Sequence, residues 1–268
     1  MTLSAPLRVV ATLALDDRDA AVLGAVDALS ARRPCEVTLL HVLPRASATA
    51  AAAVDACVAR LGVPAAARVV VGAIDEVAPA VLAEVDAGLL IVGRSVTVDG
   101  APAWGPHGRA LLRSAGCPVL IVPLGASLGF GRAAVGMDLS PSALETLAFV
   151  RGLYDEVVAV AALAPDDAPA DPEAAVEAIE AHFRSVLAER DLPVPRLIAR
   201  AGGSPADVLL GVAAEFDLLA VGSRGLTALA AVFLGSTAER LAGRSPRPVL
   251  VVRRRGEARG LLGALFRP

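Results

Sequence analysis

Four residues between Val221 and Leu241 have the types and spacing needed to hold an anion. In VGSRGLTALAAVFLGSTAERL, Gly222 and Gly225 are separated by two residues, and nine more precede Gly235 and Ser236. Glycines directly after a strand let the main chain approach a ligand, and a Gly-Ser pair at a helix start offers free N–H groups and a hydroxyl to a phosphate. Ser223 and Arg224 lie in the same loop. The serine hydroxyl either bonds a phosphate or closes a turn, and the guanidinium either reaches phosphate oxygens or stands in solvent. Upstream, VGMDLSPSA puts Asp138 at the end of an apolar run, where a carboxylate can cap the helix that follows.

For these residues to meet, strands and helix starts must deliver them to one edge of a sheet, and the patterning provides such a frame twice. DAGLLIVG (residues 86–93) and CPVLIV (117–122) reappear about 130 residues later as FDLLAVG (216–222) and RPVLVV (247–252). Around them, short apolar runs alternate with longer amphipathic stretches, the signature of βαβ units on a buried parallel sheet. Strands are expected over residues 7–14, 37–42, 67–71, 89–93 and 118–122, and again over 133–138, 156–163, 196–199, 217–222 and 248–252. The expected fold class is α/β: two tandem doubly wound, Rossmann-like domains, each with a five-stranded parallel sheet flanked by helices. The domains are expected at residues 1–124 and 131–254, with the glycine-rich LGASLGFG (124–131) as linker and 255–268 as a C-terminal tail. Ser140-Pro141, Asp171-Pro172 and Ser204-Pro205 mark helix starts. The tail mixes arginines with Leu261, Leu262, Leu265 and Phe266; it reads as a basic amphipathic helix or as an end packing its leucines on the body.

Composition removes several other chemistries. The 268 residues are 55% apolar and 20% charged, which excludes a disordered chain, and 25 basic against 28 acidic residues offer no basic field to nucleic acid. Every basic residue is arginine, and lysine, asparagine and glutamine are absent. A P-loop lysine, a kinase phosphate lysine, a Schiff-base lysine and a Ser-x-x-Lys pair are excluded together. Cys35, Cys57 and Cys117 have no paired spacing, and His41, His107 and His182 none suited to a shared metal, so no disulfide framework or metal site is expected. No GxSxG elbow occurs, and GFGRAA (129–134), a formal dinucleotide fingerprint, precedes a strand pattern rather than a helix. The first apolar run is too short for a signal peptide, and the uncharged stretch 114–131 carries two prolines and four glycines, so a cytoplasmic protein without a membrane span is expected.

The Gly-x2-Gly-x9-Gly-Ser pattern, flanked by VGS and RPVLVV, resembles the nucleotide-binding motif of universal stress proteins, and the repeat makes the whole chain similar to a tandem member of that family. The resemblance implies an ATP-binding or related adenine-nucleotide-binding sensor or signalling module, with the nucleotide, with or without magnesium, in the second domain. Gly222, Ser223, Arg224, Gly225, Gly235 and Ser236 would then serve the phosphates, and Asp138 the ribose or the metal. Main-chain groups around Ala162 and Leu163 would meet the adenine edge. It also implies that the halves pack as a pseudo-dimer through their last strands, with a further homodimer open. No general base is evident in the glycine loop, so no catalytic residue is assigned; slow ATP hydrolysis stays open. The alternative is a protein-interaction scaffold of the same fold that binds no nucleotide.

The first half departs from the motif. After Gly93 comes RSVTVDGAPAWGPHGRALLRS, with Val96 at the place of the second glycine, a loop one residue shorter, and Gly105 or Pro106 where Gly-Ser should open the helix. Ala14 stands opposite Asp138, and Asp16, two positions later, is a partial substitute. Proline removes an N–H and valine crowds the main chain, so this copy is expected to lack the phosphate cradle. Trp104 and His107 are expected to pack rather than bind, although an aromatic can stack on a base, and His41 is expected to be a satisfied core residue.

Overall fold

Short runs of valine, leucine, isoleucine and alanine form the strands, and the amphipathic stretches between them form the helices. The computed structural model describes residues 5–96, 102–163, 172–190, 193–201, 203–223 and 235–253. The described residues fall into two compact units that divide after Leu128.

In the first unit the elements run β1 (Leu7–Thr12), α1 (Asp19–Arg32), β2 (Cys35–Leu43), α2 (Ala50–Val58), β3 (Ala65–Val71), α3 (Ile74–Glu84), β4 (Leu89–Val96), β5 (Pro102–Ala103), α4 (Pro106–Ser114) and β6 (Val119–Pro123). Its parallel strands lie in the order β3-β2-β1-β4-β6. The second unit runs β7 (Arg132–Gly136), α5 (Pro141–Arg151), β8 (Glu156–Leu163), α6 (Pro172–Ala188), β9 (Arg196–Ala201), α7 (Pro205–Val212), a 3-10 turn (Ala213–Glu215), β10 (Leu218–Ser223), α8 (Ser236–Arg244) and β11 (Val249–Arg253). Its parallel order is β11-β10-β7-β8-β9. All ten expected strands are present, in two doubly wound α/β sheets flanked by helices.

In both sheets the order of strand addition reverses at the centre, between β1 and β4 in one and β7 and β10 in the other. Such a switch point leaves a crevice beyond the carboxyl ends of the strands. The central strands are buried on both faces: Val10, Ala11, Leu90 and Ile91 in the first sheet, Ala133, Ala134, Leu219 and Ala220 in the second. Each buried valine or leucine contributes roughly 1.5–3 kcal/mol, and the alanines let helices approach closely.

Two local differences from the expected elements bear on the crevices. Strand β1 stops at Thr12 rather than residue 14, because Leu15 takes φ 60° and the Asp19 carboxylate accepts the N–H groups of Ala14 and Leu15 at 2.9 and 2.8 Å. The same bend recurs after β7, where Leu139 has φ 57°. Strand β4 runs past Gly93, and Ser95 and Val96 pair antiparallel with Ala103 and Pro102 of β5, a ribbon where only a loop is expected.

The stretch 124–131 carries no strand or helix, yet its end is fixed. Asp217 accepts the N–H groups of Gly131 and Arg132 at 2.9 and 3.0 Å, and a Cβ on Gly129 would stand 2.7 Å from the Asp217 carboxyl carbon. Glycine there makes room for a carboxylate clamp as well as turning the chain. Strand β7 follows directly, so GFGRAA leads into a strand, as its pattern indicates. No helix among the described residues is long and apolar enough to cross a membrane.

Candidate functional site

A cleft of about 340 Å³ opens at the switch point of the second sheet. Its floor is the end of β7 and β10, with Gly136, Val221 and Gly222; one wall is the first turn of α8, from Gly235 to Ala238. Asp138, Ser140 and Ser142 bring polar groups from the β7–α5 connection, while Val160, Ala162, Pro205, Val208 and Leu209 make an apolar end. One end therefore presents N–H and hydroxyl donors and the other a greasy slot, the division a phosphorylated, ring-bearing ligand requires.

The donors come from α8. Gly235 is its N-cap residue with φ −60° and ψ 138°, and among the described residues no side chain caps the helix, so its first N–H groups face the cleft without an intrahelical acceptor. A Cβ on Gly235 would meet nothing within 4 Å, so this glycine keeps the cradle open rather than relieving a clash. Gly222 differs: a Cβ there would stand 2.6 Å from the Ser142 carbonyl carbon. Its glycine is demanded by the close passage of the α5 start across β10.

The polar side of the cleft is ordered by α5. Ser140 is the N-cap, its hydroxyl accepting the Ala143 N–H at 3.3 Å, and it lies 3.1 Å from the Ser142 hydroxyl. The Asp138 carboxylate accepts the Ser140 N–H at 3.0 Å, which shapes the turn into the helix but leaves capping to Ser140.

Of the residues singled out in the sequence, Asp138, Ala162, Gly222, Gly235 and Ser236 come together on this cleft. Ser223 ends β10, only 2% exposed, outside the lining. Leu163 ends β8, its main chain paired with Ala201. Arg224 and Gly225 lie outside the described residues, as do Asp171 and the tail from residue 254. Sequence reasoning missed Ser140 and Ser142 as cleft groups, although the SPS run carried the signal, and missed the apolar face of α7.

The first sheet has a corresponding cleft of about 250 Å³ with different chemistry. Gly105 is the N-cap of α4 as Gly235 is of α8, with φ −68°, so the glycine is retained and only the serine is replaced, by Pro106 at the first helical position. Asp16 does not substitute for Asp138: its carboxylate binds the Arg18 guanidinium at the surface, which lowers the Asp16 pKa, and it does not line the cleft. The acid in the cleft is Asp19, 3% exposed, whose pKa burial raises against the two N–H bonds that it accepts. His41 lines the cleft half-buried, its Nδ1–H donating to the Leu13 carbonyl at 2.9 Å. The Trp104 ring lies against Gly108, where a Cβ would come within 2.8 Å of it, so the indole packs on the first turn of α4.

With this geometry in place, the profile of the universal stress protein family matches residues 129–253, the whole second unit. The second half of the chain belongs to the universal stress protein family. Known structures share the tandem fold over nearly the full length. A functionally unknown protein of Pseudomonas aeruginosa PAO1 is 20% identical with a TM-score of 0.68, covering 94% of each chain. A protein of P. aeruginosa UCBPP-PA14 is 20% identical with a TM-score of 0.70, over 95% of this chain and 96% of its own. A universal stress protein of Archaeoglobus fulgidus DSM 4304 is 18% identical with a TM-score of 0.68, over 96% of this chain and 100% of its own. No curated protein matches the chain. At these identities the likeness is one of fold, and the chemistry of the universal stress protein domain rests on its own cleft.

Proposed function

We propose that the universal stress protein domain of residues 129–253 binds ATP or a related adenine nucleotide and acts as a sensor or signalling module. The uncapped start of α8 opening beside an apolar slot carries this reading. Phosphates would lie at the N–H groups following Gly235 and at the Ser236 hydroxyl, where the helix dipole favours negative charge. The base would lie between Ala162, Val208 and the α7 face, with main-chain groups of β8 reading its edge. Asp138 would take a ribose hydroxyl or the magnesium ion that accompanies the phosphates, since one carboxylate plus phosphate oxygens is an ordinary magnesium environment.

Among the described residues that line the cleft, Asp138 is the sole acidic group, and it already accepts the Ser140 N–H. Binding rather than turnover is the function the geometry supports. The test is to denature the purified full chain, identify released nucleotide by mass, and titrate the emptied protein with ATP in a calorimeter. About one nucleotide per chain is expected. Absence of both released nucleotide and heat would turn the assignment to a protein-docking scaffold.

A further inference from the structure

The outermost strand of the first sheet has a neighbour on one side only. Strand β3 ends the order β3-β2-β1-β4-β6, and its sequence AAARVVV pairs in parallel with β2 from Ala65 to Val71. The Gly72 N–H donates to the Leu43 carbonyl at 3.0 Å, so the main chain of Gly72 faces β2. Main-chain groups alternate sides along a strand, and the N–H and C=O groups of Val71, Val69 and Ala67 therefore point away from β2. Among the described residues, nothing bonds to these groups.

The same edge is apolar. Val71 is 52% exposed and Val69 36%, and Ala66 and Ala67 are exposed as well. Such an edge is a template for another strand unless charge blunts it. In the second unit the corresponding edge strand, β9, carries Arg196 and Arg200, both exposed. The sole charged residue of β3 is Arg68, and its guanidinium donates to both oxygens of Glu84 at 2.6 and 2.8 Å. That cation is neutralised within its own chain, and nothing on β3 repels a neighbour.

The residues select a copy of the same strand as that neighbour. Antiparallel strands exchange hydrogen bonds where the outward groups of both meet. Pairing β3 with a second β3 about Val69 meets that condition at Val69 against the partner's Val69, and at Ala67 against the partner's Val71 on either side. Each pair exchanges two bonds, about six in all. Small alanine faces larger valine on both sides of the axis, and Arg68 falls opposite the partner's Val70. Shifting one strand by two residues would set Arg68 against itself, where like charges are destabilising. In the favoured register the two Arg68 residues are diagonal neighbours, each already paired with a Glu84, so ion pairs rather than bare cations approach. A two-fold contact requires a surface complementary to itself, and this strand provides one.

We propose that β3 is a homodimer contact, in which two chains pair antiparallel about Val69 with Ala67 opposite the partner's Val71, so that two first-unit sheets continue into each other. The contact uses none of the residues of the nucleotide cleft, and its experiment needs no nucleotide.

Sedimentation equilibrium of the purified full chain, from about 1 to 200 µM, should show a monomer–dimer equilibrium with a roughly micromolar dissociation constant, as suits a small contact. Val69→Lys sets two ammonium groups against each other at the axis from a position that is already exposed, so the fold should stand and dimerisation should weaken roughly tenfold or more. Val69→Cys places two thiols on the axis at the ~5.5 Å Cα separation of a hydrogen-bonded pair, which a disulfide spans. Mild oxidation should then give a covalent dimer that wild type does not form. Where melting shows that Val69→Lys does not fold, the Val69→Cys cross-link decides. A chain that stays monomeric throughout, a dimer unweakened by Val69→Lys, or no cross-link from Val69→Cys overturns the contact. Mass that climbs beyond two chains overturns its two-fold closure.

Discussion

Gly222 lies so close to Ser142 that a Cβ on the glycine would stand 2.6 Å from the serine carbonyl carbon and 2.7 Å from its oxygen. The backbone atoms that it would strike belong to the first turn of α5 and cannot swing aside. Gly222→Ala should therefore destabilise the second unit by about 1–3 kcal/mol, the usual cost of overpacking. The counterpart Gly93→Ala would meet a Val22 methyl at 3.1 Å and the Arg18 Cβ at 3.2 Å, which a small shift relieves. Paired melting curves should show the larger loss for Gly222→Ala; equal losses would mean that the two starts of α1 and α5 yield alike.

Gly235 offers the cleaner probe of the ligand, because stability and binding should move in opposite directions. Aspartate is a better N-cap than glycine by a few tenths of a kcal/mol, and the extended φ and ψ here suit it. The same carboxylate would stand where phosphate is proposed. Gly235→Asp should raise or hold the melting temperature while weakening ATP binding roughly a hundredfold. A variant that keeps wild-type affinity would remove the α8 start from the site.

Much of this frame was legible in the sequence because apolar runs ending in glycine repeat, and repetition marks strand position. The cleft residues were legible where a main-chain requirement dictates the residue, as at Gly222. They were obscure where geometry alone decides. Asp16 and Asp19 are both aspartates near the end of β1, and only the bend at Leu15 turns Asp19 inward to accept two N–H groups while Asp16 meets Arg18. Ser223 looks like a phosphate ligand by its place after Gly222, but alternation along β10 buries it outside the lining. Sequence spacing does not encode which face of a strand end meets the cleft.

Asp138 has two separable roles, shaping the turn and meeting the ligand. Asp138→Asn keeps an oxygen that can accept the Ser140 N–H, so the turn should survive and the unfolding free energy should stay within about 0.5 kcal/mol of wild type. Under the proposed function, nucleotide affinity should fall roughly tenfold or more, with the larger loss in the presence of magnesium. Unchanged affinity in calorimetry would leave Asp138 a turn residue.

Ser140 tests the opposite balance. Its hydroxyl caps α5, and Ser140→Ala should cost about 1 kcal/mol. Ser204 caps α7 in the same way but also accepts from Arg240 Nη1 at 2.8 Å and donates to the Asp207 carboxylate at 2.6 Å. Ser204→Ala should therefore lose at least as much by urea melting, and a loss no larger than that of Ser140→Ala would mean that the exposed Arg240 network contributes nothing.

Asp19 gives the first unit a pH dependence whose sign is fixed by burial. Its pKa is raised above the ordinary 3.8, so in the native protein the neutral form is favoured relative to the unfolded chain. The associated stability is present in full below the ordinary carboxylate pKa and is lost as pH rises through the raised native value. Asp19→Asn cannot ionise. It forfeits part of the Ala14 and Leu15 hydrogen bonding by an amount that does not vary with pH, and Asp16, whose own pKa is lowered, is common to both chains. The melting-temperature advantage of wild type over Asp19→Asn should accordingly be greatest near pH 3 and shrink toward pH 7. An advantage that grows with pH would mean that the two N–H bonds outweigh desolvation and hold the carboxylate ionised.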